Sequence, residues 1–196
     1  ELLAVAVKIS MPKRQKGIKM MKGRPITTEE FERMLGKVEA GIIDASSGKE
    51  EAQLKMGEDA RKKWTKRLAE EAKAAAPGVR RILIGLWLSG LRLSEAVTMS
   101  WDDEARICPD FSGKRPMLRI PASEQKSGQE TILPMTADFA AFLGEIPKEQ
   151  RTGRVFPILG KRSEQIIDAG NVGRIITAIG RMAGVVVDKV SEKFAS

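Results

Sequence analysis

Residues 78–101, GVRRILIGLWLSGLRLSEAVTMSW, decide how this chain is read. Ile82, Leu83, Ile84, Leu86, Trp87 and Leu88 form an apolar run with no polar face. Such a run predicts a helix buried on all sides, begun after Pro77-Gly78 has ended the element before it. Gly90 supplies the helix stop. Leu91, Arg92, Leu93, Ser94 and Glu95 come next, and Ala96, Val97 and Met99 resume apolar spacing, so Arg92 falls in the joint between two core helices. A guanidinium seated there is costly to desolvate unless it is paired or faces an anion, and Glu95, three residues on, is the nearest partner. Two readings stay open. One is a structural Arg-Glu pair pinning a helix start; the other is a phosphate ligand, because the planar fork offers two parallel hydrogen bonds and never loses its charge.

Upstream, Thr27 with Glu30 three residues later makes a capping box, and Phe31, Met34, Leu35, Val38 and Ile42 share one face of a helix expected to end near Gly41 to Asp44. A polar connection over 45–57 leads to a charged amphipathic helix over 58–76, with Trp64, Leu68, Ala72 and Ala75 inward. Its Arg61, Lys62, Lys63, Lys66 and Arg67 read as a solvated face or as a DNA-facing one. The three tryptophans, Trp64, Trp87 and Trp101, read as core aromatics.

Downstream, 105–111, 117–121 and 130–135 are short runs bounded by turn residues, which fit a three-stranded antiparallel sheet. The second and third strands are joined by SEQKSG, placing Lys126 at a hairpin tip. Thr136 caps a helix with Phe139, Phe142 and Leu143 inward, and 171–184 forms a last helix with Ile175, Ile176, Ile179 and Met182 inward. Asp102-Asp103-Glu104 reads as a solvated loop, since consecutive acids do not converge on one cation without an unusual backbone. Gly153 and Gly160-Lys161 lack the spacing and the hydroxyl residue of a phosphate loop.

Composition narrows the function classes. One cysteine and no histidine exclude a disulfide framework and a Cys/His zinc site, and point to a reducing cytoplasm. No apolar run is long enough for a membrane span. The net charge is +8, and residues 1–24 hold seven basic residues against one acid, a net +6. Lys13, Arg14, Lys16, Lys19, Lys22 and Arg24 lie in the Pro- and Gly-punctuated part of that segment, expected to be an extended linker that seeks a polyanion.

The stretch SGLRLSEAVTMSWDD resembles the box of tyrosine recombinases and phage integrases that carries their first catalytic arginine, and RIPASEQKSGQETILPM resembles their lysine hairpin. The resemblance implies that Arg92 binds the scissile DNA phosphate, that Glu95 supports it, and that Lys126 protonates the departing 5′-oxygen. It also implies a tyrosine nucleophile, a 3′-phosphotyrosyl intermediate and no metal or nucleotide cofactor. Double-stranded DNA is the implied partner, contacted in part by the basic linker, with a homotetramer on DNA for the complete protein and a monomer for this chain alone.

The family's His-x-x-Arg box, second His or Trp, and Tyr are not found; the chain holds no Tyr and no His. The resemblance implies that residues 1–24 are the end of a core-binding-domain helix and the interdomain linker. Residues 25–196 are expected to be a catalytic domain incomplete at its C-terminus, inactive by itself. The expected fold is α+β, mainly helical with a small three-stranded antiparallel sheet, of integrase-like catalytic type. The expected function is site-specific DNA recombination or integration by strand cleavage and rejoining. The alternative is a non-catalytic DNA-binding or accessory protein in which Arg92 is structural.

Overall fold

A 32-residue helix, Glu58–Ser89, is the longest described element and enters the core from Leu68 onward. The computed structural model describes residues 24–47, 57–125, 128–158, 168–188 and 193–194. Among them the α-helices are α1 Thr28–Gly36, α2 Val38–Ser47, α3 Glu58–Ser89, α4 Leu93–Thr98, α5 Ala137–Gly144 and α6 Ala169–Met182. The strands are β1 Cys108–Asp110, β2 Met117–Ile120, β3 Thr131–Pro134, β4 Val186–Asp188 and β5 Lys193–Phe194. The architecture is α+β: a helical body carrying the antiparallel sheet β1-β2-β3, with a separate β4-β5 hairpin.

Pro77 lies inside α3, so the expected break at Pro77-Gly78 does not occur. An interior proline costs about 3 kcal/mol through its missing N–H and its ring clash. Leu68, Ala72 and Ala76 before it and Val79, Ile82 and Leu83 after it are all buried on one stripe. Burying an aliphatic side chain of this size contributes about 1.5–3 kcal/mol, so the residues beyond Pro77 outweigh the break. Gly78 has a different task from stopping a helix: a Cβ there would lie 3.1 Å from the carbonyl oxygen of Pro157.

The run that follows is buried on one side only. Ile82, Leu83 and Gly85 are covered, Ile84, Leu86 and Leu88 are half-buried, and Trp87 is 40% exposed. Trp87 therefore is not a core aromatic; it covers the surface by stacking on Phe31 at 4.5 Å between ring centroids. Trp64 and Trp101 are half-buried.

The capping box at Thr27 forms as the sequence indicates, with Glu30 N donating to Thr27 Oγ1 and Thr27 N donating to Glu30 Oε2. The helix then breaks at Lys37 and resumes as α2, which continues past Gly41 to Ser47. Gly41 is a contact residue and not a stop: a Cβ on it would meet Ile179 Cγ1 of α6 at 2.3 Å. The absence of a side chain lets α2 and α6 approach backbone to backbone.

In the sheet, β2 pairs antiparallel with both neighbours, Cys108 opposite Arg119 and Leu118 opposite Leu133. Leu118 and Ile120 point into the core, while Ile132 and Leu133 of edge strand β3 are exposed. Thr136 caps α5, and Phe139 and Leu143 are buried. Asp168 caps α6, whose Ile176 and Ile179 are buried; Met182 is 43% exposed, so it does not face inward as expected. No described helix is long and apolar enough to cross a membrane.

Candidate phosphate-binding site

Gly90 ends α3 in the left-handed conformation, φ 67°, and the chain turns directly into α4. Ala96 and Val97 are buried and anchor this short helix, while Arg154 reaches across from the later chain to donate to the Val97 carbonyl. With the apolar face of α4 fixed inward, its first residues face outward.

Arg92 is the N-cap of α4. Its backbone N–H donates to Glu95 Oε2 at 2.8 Å, and its Nη1 donates to Glu95 Oε1 at 2.9 Å. One carboxylate thus closes the helix start and holds one prong of the guanidinium. The expectation of an arginine wedged between apolar elements is corrected: the Arg92 side chain is 78% exposed, and Glu95 is 20% exposed. No large desolvation cost opposes the charge, and an exposed ion pair contributes only about 0–1 kcal/mol of stability. The pair orients an exposed, permanently charged fork.

The next residue along the chain, Leu93, borders a solvent-open groove, although Arg92 itself does not line it. The groove, of about 670 Å³, runs between α2, α4 and α6, lined by Leu93 and by Arg174 and Arg181. Arg181 pairs with Asp44 across the groove. Sequence reasoning used only the apolar face of α6 and passed over these two arginines. Their spacing of seven residues, two helical turns, was the available signal.

Lys126 lies outside the described residues, as do Lys13, Arg14, Lys16, Lys19 and Lys22. The flanks of Lys126 are described: Gly128, at φ 65°, donates to the Gln125 carbonyl at 3.1 Å, and Glu124 pairs with Arg106 at 3.0 Å. Arg24 is engaged within the domain. Its guanidinium grips both oxygens of Glu30, and its backbone N–H donates to the Val187 carbonyl at 2.9 Å. Arg24 first, then the Thr27 backbone, pulls the Glu30 carboxyl down to about 2.

The acidic trio is dispersed among separate partners. Asp102 accepts from Gly153 N at 3.1 Å, Asp103 accepts from Ala105 N at 3.0 Å, and Glu104 pairs with Arg119 at 3.2 Å. Among the described residues no group of three His, Cys, Asp or Glu side chains is placed to hold a metal ion. Comparison with protein-family models, with curated proteins and with solved structures returned no match.

Proposed function

We propose that this chain supplies the phosphate-gripping part of a tyrosine-recombinase-type site for site-specific DNA recombination or integration. The observation that carries the reading is the geometry at Arg92: a solvent-presented guanidinium held on one prong by Glu95, at a helix start bordering a groove with two further arginines. In the reaction, a tyrosine oxygen attacks the scissile phosphorus, the bond to the 5′-oxygen breaks, and a 3′-phosphotyrosyl link forms. Arg92 stabilises the charge that builds on the non-bridging oxygens. Glu95 positions Arg92, and Lys126 delivers the proton that the 5′-oxygen takes up on leaving.

These 196 residues contain no tyrosine, so the nucleophile has to come from outside them. Lys13, Arg14, Lys16, Lys19 and Lys22 add backbone contacts to duplex DNA, on which the complete protein works as a homotetramer in the cytoplasm. The deciding test is single-turnover formation of a covalent protein–DNA product by the chain extended with the reading frame that follows Ser196. A covalent product that disappears when the added tyrosine is changed to phenylalanine supports the reading. No product, or no in-frame tyrosine, removes it.

A second reading has its own support in the complete lack of Tyr and His. It is an accessory protein that binds DNA and cuts none. It shares the DNA affinity and predicts no covalent product under any extension.

A further inference from the structure

The N-terminal ends of α4 and α6 meet at Leu93 and Gly173, where a Cβ on the glycine would lie 3.3 Å from Leu93 Cδ2. Each of these residues adjoins an arginine in the chain, Arg92 on one side and Arg174 on the other. The groove between α2, α4 and α6 borders this contact, with Leu93, Gly170 and Gly173 in its lining beside Asp44, Arg174 and Arg181.

Its two arginines are held in different ways. Arg181 is neutralised by Asp44, which fastens α6 to α2. Arg174 donates through Nη2 to Oδ1 of Asn171, and the Asp168 carboxylate acts on it by charge alone, without a direct hydrogen bond. Asn171 is itself fixed, its Nδ2 donating to Asp168 Oδ2 at 2.8 Å and its backbone N–H donating to Asp168 Oδ1 at 2.8 Å. The Asp168 side chain is occupied by the first turn of α6. This relay repeats the logic of Glu95 and Arg92: residues at a helix start hold one prong of an exposed guanidinium and leave the rest of the fork to a ligand. A fixed fork loses less side-chain freedom on meeting a phosphate than a free one does.

We propose that Arg174 is a second phosphate ligand of this chain, contacting the DNA backbone beside the phosphate bound by Arg92, with the α2-α4-α6 groove receiving the strand. The inference rests on the phosphate-binding reading of Arg92 given above. Asn171 is a positioning residue for it.

The experiment is fluorescence anisotropy of a labelled 30-base-pair duplex titrated with the intact chain between 50 and 200 mM salt. It compares the wild type with Arg92→Gln, Arg174→Gln, Asn171→Ala and, as a control for net charge, Lys148→Gln on the exposed turn after α5. Each backbone contact contributes a slope of about −0.9 in log K against log salt. Arg174→Gln should weaken binding severalfold and flatten the slope by about one contact. Asn171→Ala should weaken binding less and keep the slope, and Lys148→Gln should leave both unchanged. Thermal unfolding of each variant establishes that the fold is retained.

An unchanged slope in Arg174→Gln overturns the inference, and a flattened slope in Arg92→Gln in the same series keeps the phosphate role of Arg92. Equal flattening in Arg174→Gln and Lys148→Gln also overturns it, because net charge then suffices. Flattening in Arg174→Gln but not in Arg92→Gln supports the groove and removes Arg92 from the proposed site. A wild-type chain without affinity for the duplex overturns both.

Discussion

Two helix starts in this domain use the same parts to opposite ends. At α1, Glu30 reaches back to the N-cap backbone N–H of Thr27, and an arginine outside the helix, Arg24, covers both of its oxygens. At α4, Glu95 reaches back in the same way, but the arginine is the N-cap itself and touches the carboxylate through Nη1 alone. The Arg24 side chain is 42% exposed with both prongs engaged; the Arg92 side chain is 78% exposed. The first arrangement uses up the fork and fastens the start of the domain to the β4 segment through Val187. The second holds the fork in place and leaves it presented. An Arg-Glu pair three or six residues apart therefore does not report its own purpose; the number of prongs engaged and the exposure of the guanidinium do.

The contrast breaks most sharply in catalysis. Arg92→Lys keeps the charge but loses the two-pronged geometry. Under the proposed recombinase function, in a chain extended by a tyrosine-bearing segment, cleavage should fall by about 10²–10³-fold while DNA affinity stays within severalfold, as measured by single-turnover covalent product and by anisotropy. Lys126→Ala should lose cleavage too, and regain it on a substrate whose 5′-bridging oxygen is sulfur, a leaving group that needs no proton. Arg92→Lys should gain nothing from that substrate, and equal rescue of the two variants would remove the general-acid role proposed for Lys126.

A smaller effect belongs to the structural start. Thr27→Ala removes the side-chain acceptor for Glu30 N and should cost about 1 kcal/mol in urea unfolding. A loss no greater than that of an arbitrary surface substitution would show that α1 is held by packing alone.

The same start sets a pH dependence. Glu30 has its folded pKa lowered to about 2, so its contribution is present above the usual carboxylate range near 4.5 and is lost as pH falls toward 2. Glu30→Gln should be less stable than the wild type at pH 6, with the difference in unfolding midpoint closing between pH 4.5 and 2. A constant difference across that window would mean that the Arg24 pair carries no charge energy.

The smallest expected effect is on the stability of the presented pair. Arg92→Ala should shift urea unfolding by less than about 0.5 kcal/mol, since an exposed single-pronged pair contributes little. A larger loss would place Arg92 among the structural residues together with Arg24 and would favour the accessory-protein reading.

Much of this was legible because it is local. Thr27 with Glu30, Thr136 before α5, Gly90 and Gly184 at positive φ, and Arg92 with Glu95 are interactions within about one helical turn, which the order of residues sets directly. The three strands were likewise readable from apolar runs between turn residues, although shorter in fact than the runs that announce them.

Other features depend on partners that no local window contains. Pro77 reads as a break, and α3 continues because Val79, Ile82 and Leu83 are buried in the core beyond it. Gly41 reads as a stop, and it is a point of contact because Ile179 lies against it, 138 positions later in the numbering. Gly85 sits in an apolar run and is the place where the Phe156 ring rests, at 2.4 Å from a Cβ that is not there. Trp87 looks like core, yet it lies at the surface because the rotation of α3 turns Ile82 and Leu83 inward.

The sequence by itself determined the α+β composition of the domain, the helix starts, the positions of Arg92 and Glu95 in one turn, and the concentration of positive charge before residue 25, because each follows from residues near one another along the chain. Tertiary structure alone decided that Arg92 faces solvent, that Arg24 is closed on Glu30, and that Arg174 and Arg181 line a groove at the head of α4. Those outcomes depend on which face of each helix is buried, and packing between distant segments settles that.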